Sequence, residues 1–561
     1  MKRLSAVITA LALSPALAQA QVDDPILPGI TVEIANVLRL PDTRGMGPED
    51  GRSGNNYARI NFLQEIDDNP NDWFINDLRG QVYRVEPSTG SITEYLDVGD
   101  EFSRFIIGPG GLSTGLIAIT PHPEFASNGK FYTIHEESAS GNPATPDFQA
   151  AANAGNLNNG QHGVVTEWTA SDPTASVFSG THRELIRVAQ PAGNLHNLGD
   201  IGFDPLLSPG DEGYGLMYLA GGDGGYDAAG KGSRQAQRLD SVFGKLLRID
   251  PDGDNSSNGQ YGVPSDNPFA NDGDSDTLAE IYAYGFRNQH RISWDLQTGV
   301  MIGTDIGESR TEEVNFPKIG GNYGWSEYEG VLHRDGSPIT RDDDTSEFEW
   351  PVAKYDHGDG FAIAGGFVYR GTLVPELTGK FIYGDIVNGR IYYSDLDEML
   401  AADADGSFST SADVYELFLT QDGESVSIAS LVTEERGGEL PNNRVDLRFG
   451  QTSDGEFYLT TKQDGWVRQL TSASMAGDYN RDGVVDAADY TLWRDTLGQA
   501  GSAPAADGDG DKVVTLADYD VWRNAYGQSG AAPTTAAPEP AAALLCLAAL
   551  GLPLARRGRG R

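Results

Sequence analysis

The sequence predicts an all-β protein, a six-bladed β-propeller, followed by a small all-α module built on calcium loops. Three observations predict it. Short strand-like runs recur from about Ile30 to Leu470, bounded by Gly, Asp, Asn and Pro. Glycine is abundant, at 70 of 561 residues, as many short strands joined by tight turns require. Two matched stretches within residues 478–527 place oxygen-bearing side chains in the spacing of a calcium loop.

The strand-like runs include Trp73-Phe74-Ile75, Gln81-Val82-Tyr83-Arg84-Val85, Lys130-Phe131-Tyr132-Thr133-Ile134 and Leu216-Met217-Tyr218-Leu219. Later come Lys245-Leu246-Leu247-Arg248-Ile249, Lys380-Phe381-Ile382-Tyr383, Arg390-Ile391-Tyr392-Tyr393 and Glu456-Phe457-Tyr458-Leu459. Several share the form Gly-x-apolar-Tyr, a degenerate repeat in which each unit places one strand near a central axis. Repeated sheets of this kind suggest a propeller, which leaves only short, protected edges. Residues 30–471 give roughly 440 positions, enough for six blades of about 70 each. A pair of β-sandwiches is the alternative architecture. Long helical periodicity is absent from this body.

Composition excludes some functions. Acidic residues outnumber basic ones by 82 to 40, a net charge of −42, whereas a nucleic-acid surface needs clustered Lys and Arg. The balance suits divalent cations and an exported, soluble surface. Trp, Tyr and Phe are spread along the body, so a core can be buried and disorder is disfavoured. The single cysteine, Cys546, lies near the C-terminus. The body therefore has no disulfides and relies on core burial and bound ions.

Residues 1–20 read as a signal peptide: Met1-Lys2-Arg3, an apolar run from Leu4 to Leu13, and the Ala18-Gln19-Ala20 cleavage pattern. A buried N-terminal helix is the alternative. The signal places the mature protein outside the cytoplasm: periplasmic, cell-surface or extracellular.

The first calcium loop runs from Asp478 to Asp489. Asp478, Asn480, Asp482, Asp486 and Asp489 stand at positions 1, 3, 5, 9 and 12, Val484 offers its carbonyl at position 7, and Gly483 supplies the sharp turn at position 6. The second runs from Asp507 to Asp518, with Asp509, Asp511, Val513 and Thr515 between, and Lys512 where the turn glycine belongs. A solvated acidic turn is the bland alternative. The repeated Ala-Asp-Tyr…Trp-Arg phrase makes the pair similar to a type I dockerin. That resemblance implies two Ca²⁺ ions and a cohesin-type protein partner. Residues 528–537 form an Ala/Pro/Thr linker. Residues 538–561 give Pro538-Glu539-Pro540, fifteen mostly apolar residues and an arginine cluster. This tail resembles the PEP-CTERM sorting signal, which implies membrane contact only until the tail is processed. A simple tail anchor is the alternative, although a bilayer span needs about 20 residues.

Seven phrases in the body, in order, resemble the glucose/sorbosone dehydrogenase family. They are Gly115 to Phe125, His196 to Phe203, Gly222-Asp223-Gly224-Gly225, Gly244 to Asp250, Tyr284-Gly285-Phe286-Arg287-Asn288, Glu312-Glu313-Val314-Asn315 and Gly320 to Trp325. The resemblance implies an aldose dehydrogenase using pyrroloquinoline quinone (PQQ). It makes His196 the catalytic base, Asp223 its paired acid, and Arg287 and Asn288 the quinone contacts. It also implies a calcium ion in the propeller, on carbonyls where this chain reads Ile306-Gly307-Glu308 in place of Gln-Gly-Pro; Gly307 is the matched position. Three other departures stand out: Ser113 replaces an expected glutamine, Val387 stands near an expected lysine, and an expected late arginine pair aligns poorly, with Arg444 and Arg448 only nearby. Sugar oxidation needs a base to take the hydroxyl proton, and a carboxylate-oriented histidine suits that task. A satisfied structural histidine is the alternative for His196. His122, between two prolines, reads as a turn residue, and Tyr323 and Trp325 as core. Two functions stay open: sugar oxidation, or a non-catalytic propeller that binds carbohydrate or protein and is displayed through the dockerin-like pair.

Overall fold

Propeller strands need a core on both faces of each sheet, and the aromatic runs supply it. The structure is a computed structural model describing residues 25–43, 57–66, 68–107, 114–150, 159–191, 196–227, 234–340, 343, 345–472, 476–480, 484–501, 504–509 and 511–528. The signal segment, the sorting tail, most of the preceding linker, Ser113 and Asp482 lie outside these residues. The chain divides into two compact units, Met1–Ser472 and Ala473–Arg561.

The first unit is an all-β propeller. Four blades are separate four-stranded antiparallel sheets. They comprise Ile60–Ile66 to Ser91–Asp97, Leu116–Pro121 to Gly180–Pro191, Leu198–Phe203 to Ile281–Tyr284, and Gln289–Trp294 to Ala353–Asp356. The six separate blades expected from the sequence are not found. Tyr328–Glu329 and Leu332–His333 form a two-stranded sheet, and the other remaining strands form one nine-stranded sheet. The cause is the strand Leu27–Arg39. It pairs antiparallel with Trp466–Thr471 on one side and parallel with Tyr415–Gln421 on the other, fusing two antiparallel arrays. The first strands of the arrays, beginning at Ile60, Leu116, Leu198, Gln289, Ile363 and Leu447, neighbour one another in a closed cycle. These inner strands surround the central channel.

The Gly-x-apolar-Tyr phrases do not mark inner strands. They fall on second and third strands, such as Lys130–Ser138 and Gln81–Glu86, whose aromatic and branched side chains pack between sheets. One such cluster joins Phe74, Tyr95, Phe125, Phe131, Trp168 and Phe178, with Phe131 stacked on Trp168 at 5.8 Å. Two helices, Leu396–Asp405 and Ile428–Glu435, interrupt the body without long periodicity. Local caps start them: Asp395 accepts from Asp397 N, and Ser427 forms a capping box with Ser430.

The second unit holds two ten-residue helices, Ala487–Thr496 and Leu516–Ala525. Position 9 of each loop caps its helix, through Asp486 and Thr515, and position 12 completes the capping box, through Asp489 and Asp518. The tryptophans cross over: Trp493 Nε1 donates to Thr515 O at 2.8 Å and Trp522 Nε1 to Asp486 O at 2.7 Å. Lys512 takes φ +71°, the left-handed conformation that favours glycine, so the substitution at position 6 is strained.

Candidate functional site

The residues singled out in the body lie just outside strand ends. His196 sits before the inner strand Leu198–Phe203, and Asp223 after its neighbour Met217–Gly221. Arg287 and Asn288 sit before the inner strand Gln289–Trp294, and Gly307 after its neighbour Met301–Asp305. Neighbouring strands run antiparallel, so the start of one and the end of the next share one end of a blade. All five residues therefore gather at one mouth of the channel.

Backbone bonds lock them together. Asp223 N donates to Arg287 O at 2.7 Å, and Gly224 N donates to His196 O at 2.9 Å. Gly222 permits this approach: a Cβ there would lie 2.7 Å from Asn288 Oδ1 and 2.8 Å from the His196 Cβ. His196 Nδ1 is 2.6 Å from Asp223 Oδ1. The other Asp223 oxygen accepts from Trp325 Nε1 at 2.9 Å. Burial opposes ionisation of Asp223. Its pairing with His196, the charge of Arg287 and the indole bond outweigh it, holding the carboxyl below its usual value. An ionised, fully buried carboxylate on Nδ1 fixes the imidazole orientation.

Arg287 Nη1 donates to Ile306 O at 2.7 Å and to Gly307 O at 2.5 Å. Its guanidinium lies 5.6 Å from the Trp325 ring centre, and Arg334 lies 4.4 Å from the same ring. Beneath it, Asp305 accepts from the backbone N–H groups of Arg287 and Asn288 at 2.9 and 2.5 Å. Asp305 pairs in register with Glu313. Burial raises the affinity of both carboxyls for a proton, helped at Glu313 by the charge of Asp305 and at Asp305 by that of Asp223. His357 Nε2 stands 2.7 Å from Glu312 Oε1 near this cluster, and its proton affinity is raised by that partner against the effect of burial.

Trp325 belongs to the site, although its sequence context reads as core. Nothing local could assign it, because its Asp223 partner is 102 residues away. His357 also escaped notice, having no motif around it. Tyr323 is core as expected, stacked on Phe286 at 4.5 Å. His122 serves its turn, with Nδ1 accepting from Glu124 N at 2.9 Å.

The opposite mouth holds a cavity of about 400 Å³. It is lined at the far ends of the inner strands, by Glu65, His122, Phe203, Trp294, Phe367 and Gln451 among others. In the second unit, carboxylate oxygens of Asp507, Asp509 and Asp511 lie within 4.8 Å of one another. Asp489 accepts from Tyr479 N and Asn480 N, and Asp518 from Gly508 N and Asp509 N, so both position-12 carboxylates bond their own loops. Val484 and Val513 lie in their loops, and Asp478 is 5% exposed.

A propeller with a carboxylate-bound histidine and an arginine at one mouth defines a class of channel-mouth sites. The chain belongs to the glucose/sorbosone dehydrogenase family, whose sequence profile matches residues 63–439. It is 29% identical to the HIPL1 protein of Arabidopsis thaliana over 355 residues, covering 56% of this chain and 47% of that one. It is 28% identical to the aldose sugar dehydrogenase YliI of Escherichia coli over 184 residues, covering 32% and 46%. The chain thus spans about half the length of the curated relatives it matches. The crystal structure of the soluble aldose sugar dehydrogenase of Escherichia coli in its apo-form aligns with a TM-score of 0.52 at 19% identity, over 79% of this chain and all of that one.

Proposed function

We propose that the propeller oxidises an aldose at the His196 mouth with PQQ as electron acceptor. The observation that carries this reading is the 2.6 Å bond between His196 Nδ1 and a buried, ionised Asp223. It leaves Nε2 without a hydrogen-bond partner among the described residues. His196 takes the proton of the anomeric hydroxyl at Nε2, and Asp223 stabilises the imidazolium that forms. A bound quinone would supply the two-electron acceptor for the hydride leaving the sugar carbon. The residues fit such a group: Arg287 commits only Nη1 to the carbonyls, and its other N–H groups remain for quinone or carboxylate oxygens. Asn288 is the second contact. A propeller calcium at Ile306 and Gly307 does not fit this arrangement, because the guanidinium already takes those carbonyls, and no step is routed through it.

We further propose that the protein is exported, with residues 1–20 and the 538–561 tail removed. The second unit is a dockerin-like pair that takes two Ca²⁺ ions. Asp478, Asn480, Asp482, Val484, Asp486 and Asp489 would hold one, and Asp507, Asp509, Asp511, Val513, Thr515 and Asp518 the other. Its partner would be a cohesin-type protein. Support comes from the duplicated helices and the three converging carboxylates.

Dye-linked oxidation of aldoses by the full chain, with and without added PQQ and calcium, tests the catalytic reading. PQQ-dependent turnover is expected. Turnover absent with PQQ, together with no PQQ binding by absorption titration, would transfer the propeller to the binding class, which the engaged Ile306 and Gly307 carbonyls favour.

A further inference from the structure

The chain is strongly acidic, yet its channel gathers cations. Arg291 comes from the inner strand Gln289–Trp294, Arg448 from the inner strand Leu447–Gln451, and Lys462 follows the adjacent strand Phe457–Thr461. Arg448 and Lys462 lie toward the channel end that carries His196, and Arg291 also reaches the cavity at the other mouth. Arg448 and Arg291 meet over one residue of the first blade: Arg448 Nε donates to Asn61 Oδ1 at 3.0 Å, and Arg291 Nη2 reaches Asn61 O at 3.5 Å. Arg291 also crosses Gly365, where a Cβ would lie 2.6 Å from its own Cβ and Cγ. Arg448 is 3% exposed and Lys462 2%.

These cations act against one another. Burial first, then the neighbouring positive charges, push the proton affinities of Arg448 and Lys462 well down. Asp446 is the one carboxylate among the groups that act most strongly on Lys462, and it is bound by Arg444 at 3.0 Å and Gln463 at 2.6 Å. Asp200 faces Arg291, but burial raises its carboxyl to about 6 and backbone N–H groups of Ile201 and Ile292 take its oxygens.

Two observations point to a missing acceptor. The buried Lys462 ammonium donates no hydrogen bond to any described residue. His290, which feels Arg291, Arg448 and Lys462, has a buried Nε2 without a partner. An ammonium with three donors and no acceptor in such a place is costly.

We infer that the head of the channel is an oxyanion site, in which Lys462, Arg448 and Arg291 bind the carboxylate or phosphate oxygens of a small anion beside His290. The anion enters from the His196 mouth, where Lys462 and Arg448 lie, because Glu65, Asp68 and Asp204 stand around Arg291 at the other. Its oxygens come either from free inorganic phosphate or from the carboxylates of a quinone at the adjacent mouth. The site does not depend on the redox reading.

The test is calorimetric titration of the full chain at fixed ionic strength, with inorganic phosphate in one arm and PQQ in the other, against a chloride control. Thermal melting is read alongside. Lys462→Met should weaken the bound anion about tenfold or more, as loss of a charged hydrogen-bond donor does. The same variant should melt higher than wild type without anion, because a buried repulsive charge is gone, and lose that advantage at saturating phosphate. Lys462→Arg should keep the affinity. Should Lys462→Met not fold, Lys462→Gln carries the same comparison. Phosphate binding without PQQ binding supports the site and removes the quinone reading. Competition between the two supports the site and assigns it to the quinone's carboxylates. No binding by wild type in either arm, or unchanged affinity in the Lys462 variant, overturns the inference.

Discussion

The two mouths of the channel are built from the same inner strands but differ in kind. At the His196 mouth, loops from neighbouring blades are tied by backbone bonds, and three side-chain pairs stand among them: His196 with Asp223, His357 with Glu312, Arg334 with Glu308. At the far mouth, the cavity wall sets the aromatic rings of Phe203, Trp294, Phe367 and Phe449 beside the acidic Glu65, Asp68 and Asp204. One mouth spends its sequence on orientation, the other on packing. The difference teaches where function and stability separate in this fold.

Substitutions can break that contrast. His196→Ala should lower kcat for aldose oxidation by about 10²–10⁴-fold with little change in melting temperature, the usual worth of a positioned base. Steady-state kinetics with the dye acceptor check it. A matching loss of stability would mean that the histidine is structural. Trp294→Ala, at the far mouth, should do the reverse. Its ring is 8% exposed and packs on Tyr218, so truncation should cost about 3–5 kcal/mol in denaturant unfolding while kcat holds. A fall in kcat at unchanged stability would give the far mouth a part in the reaction.

Smaller effects sharpen the comparison. Asp223→Asn should lower kcat by about 10²-fold and alter its pH profile, because the amide cannot stabilise an imidazolium. An unchanged profile would separate Asp223 from the base. Glu313→Gln reads the buried pair under Arg287. Its carboxyl affinity for a proton is raised, so the stability it contributes is complete below its ordinary value of 4.5 and is lost as pH rises through the native value. Wild-type melting temperature should therefore fall between about pH 5 and about pH 8, and fall less in the variant. Parallel curves for the two proteins would show that the pair does not titrate. Lys512→Gly concerns the second unit alone. Relief of the left-handed strain should stabilise it by about 1 kcal/mol and tighten calcium binding, read by Trp fluorescence during a calcium titration.

Much of the site was legible because motif order places His196, Asp223, Arg287 and Asn288 at strand ends, and strand direction then gathers them. Trp325 was not legible, since one indole N–H reaching Asp223 leaves no local pattern. Arg291 and Lys462 were silent for the same reason, and Arg448 showed only as a residue near an expected arginine pair: each stands in an ordinary strand context, and only ring closure brings them together. The propeller was visible in the turn-bounded runs, but the sheet count was not. Register between Leu27–Arg39 and its two partners depends on contacts that no sequence window contains. The short helices were hidden because caps, rather than periodicity, specify Leu396–Asp405 and Ile428–Glu435.

The strand Leu27–Arg39 also sets an order of events during synthesis. It is among the first strands made, and its antiparallel partner is among the last of the propeller; Thr471 bonds Glu33 across 438 residues. Until Trp466–Thr471 emerges, this strand presents open backbone donors and acceptors, a surface on which chains can pair wrongly. Closing so long a loop is slow, and the ring cannot gain its full cooperativity before closure. The nascent chain therefore passes through an interval in which one unpaired edge decides between a closed ring and an aggregate.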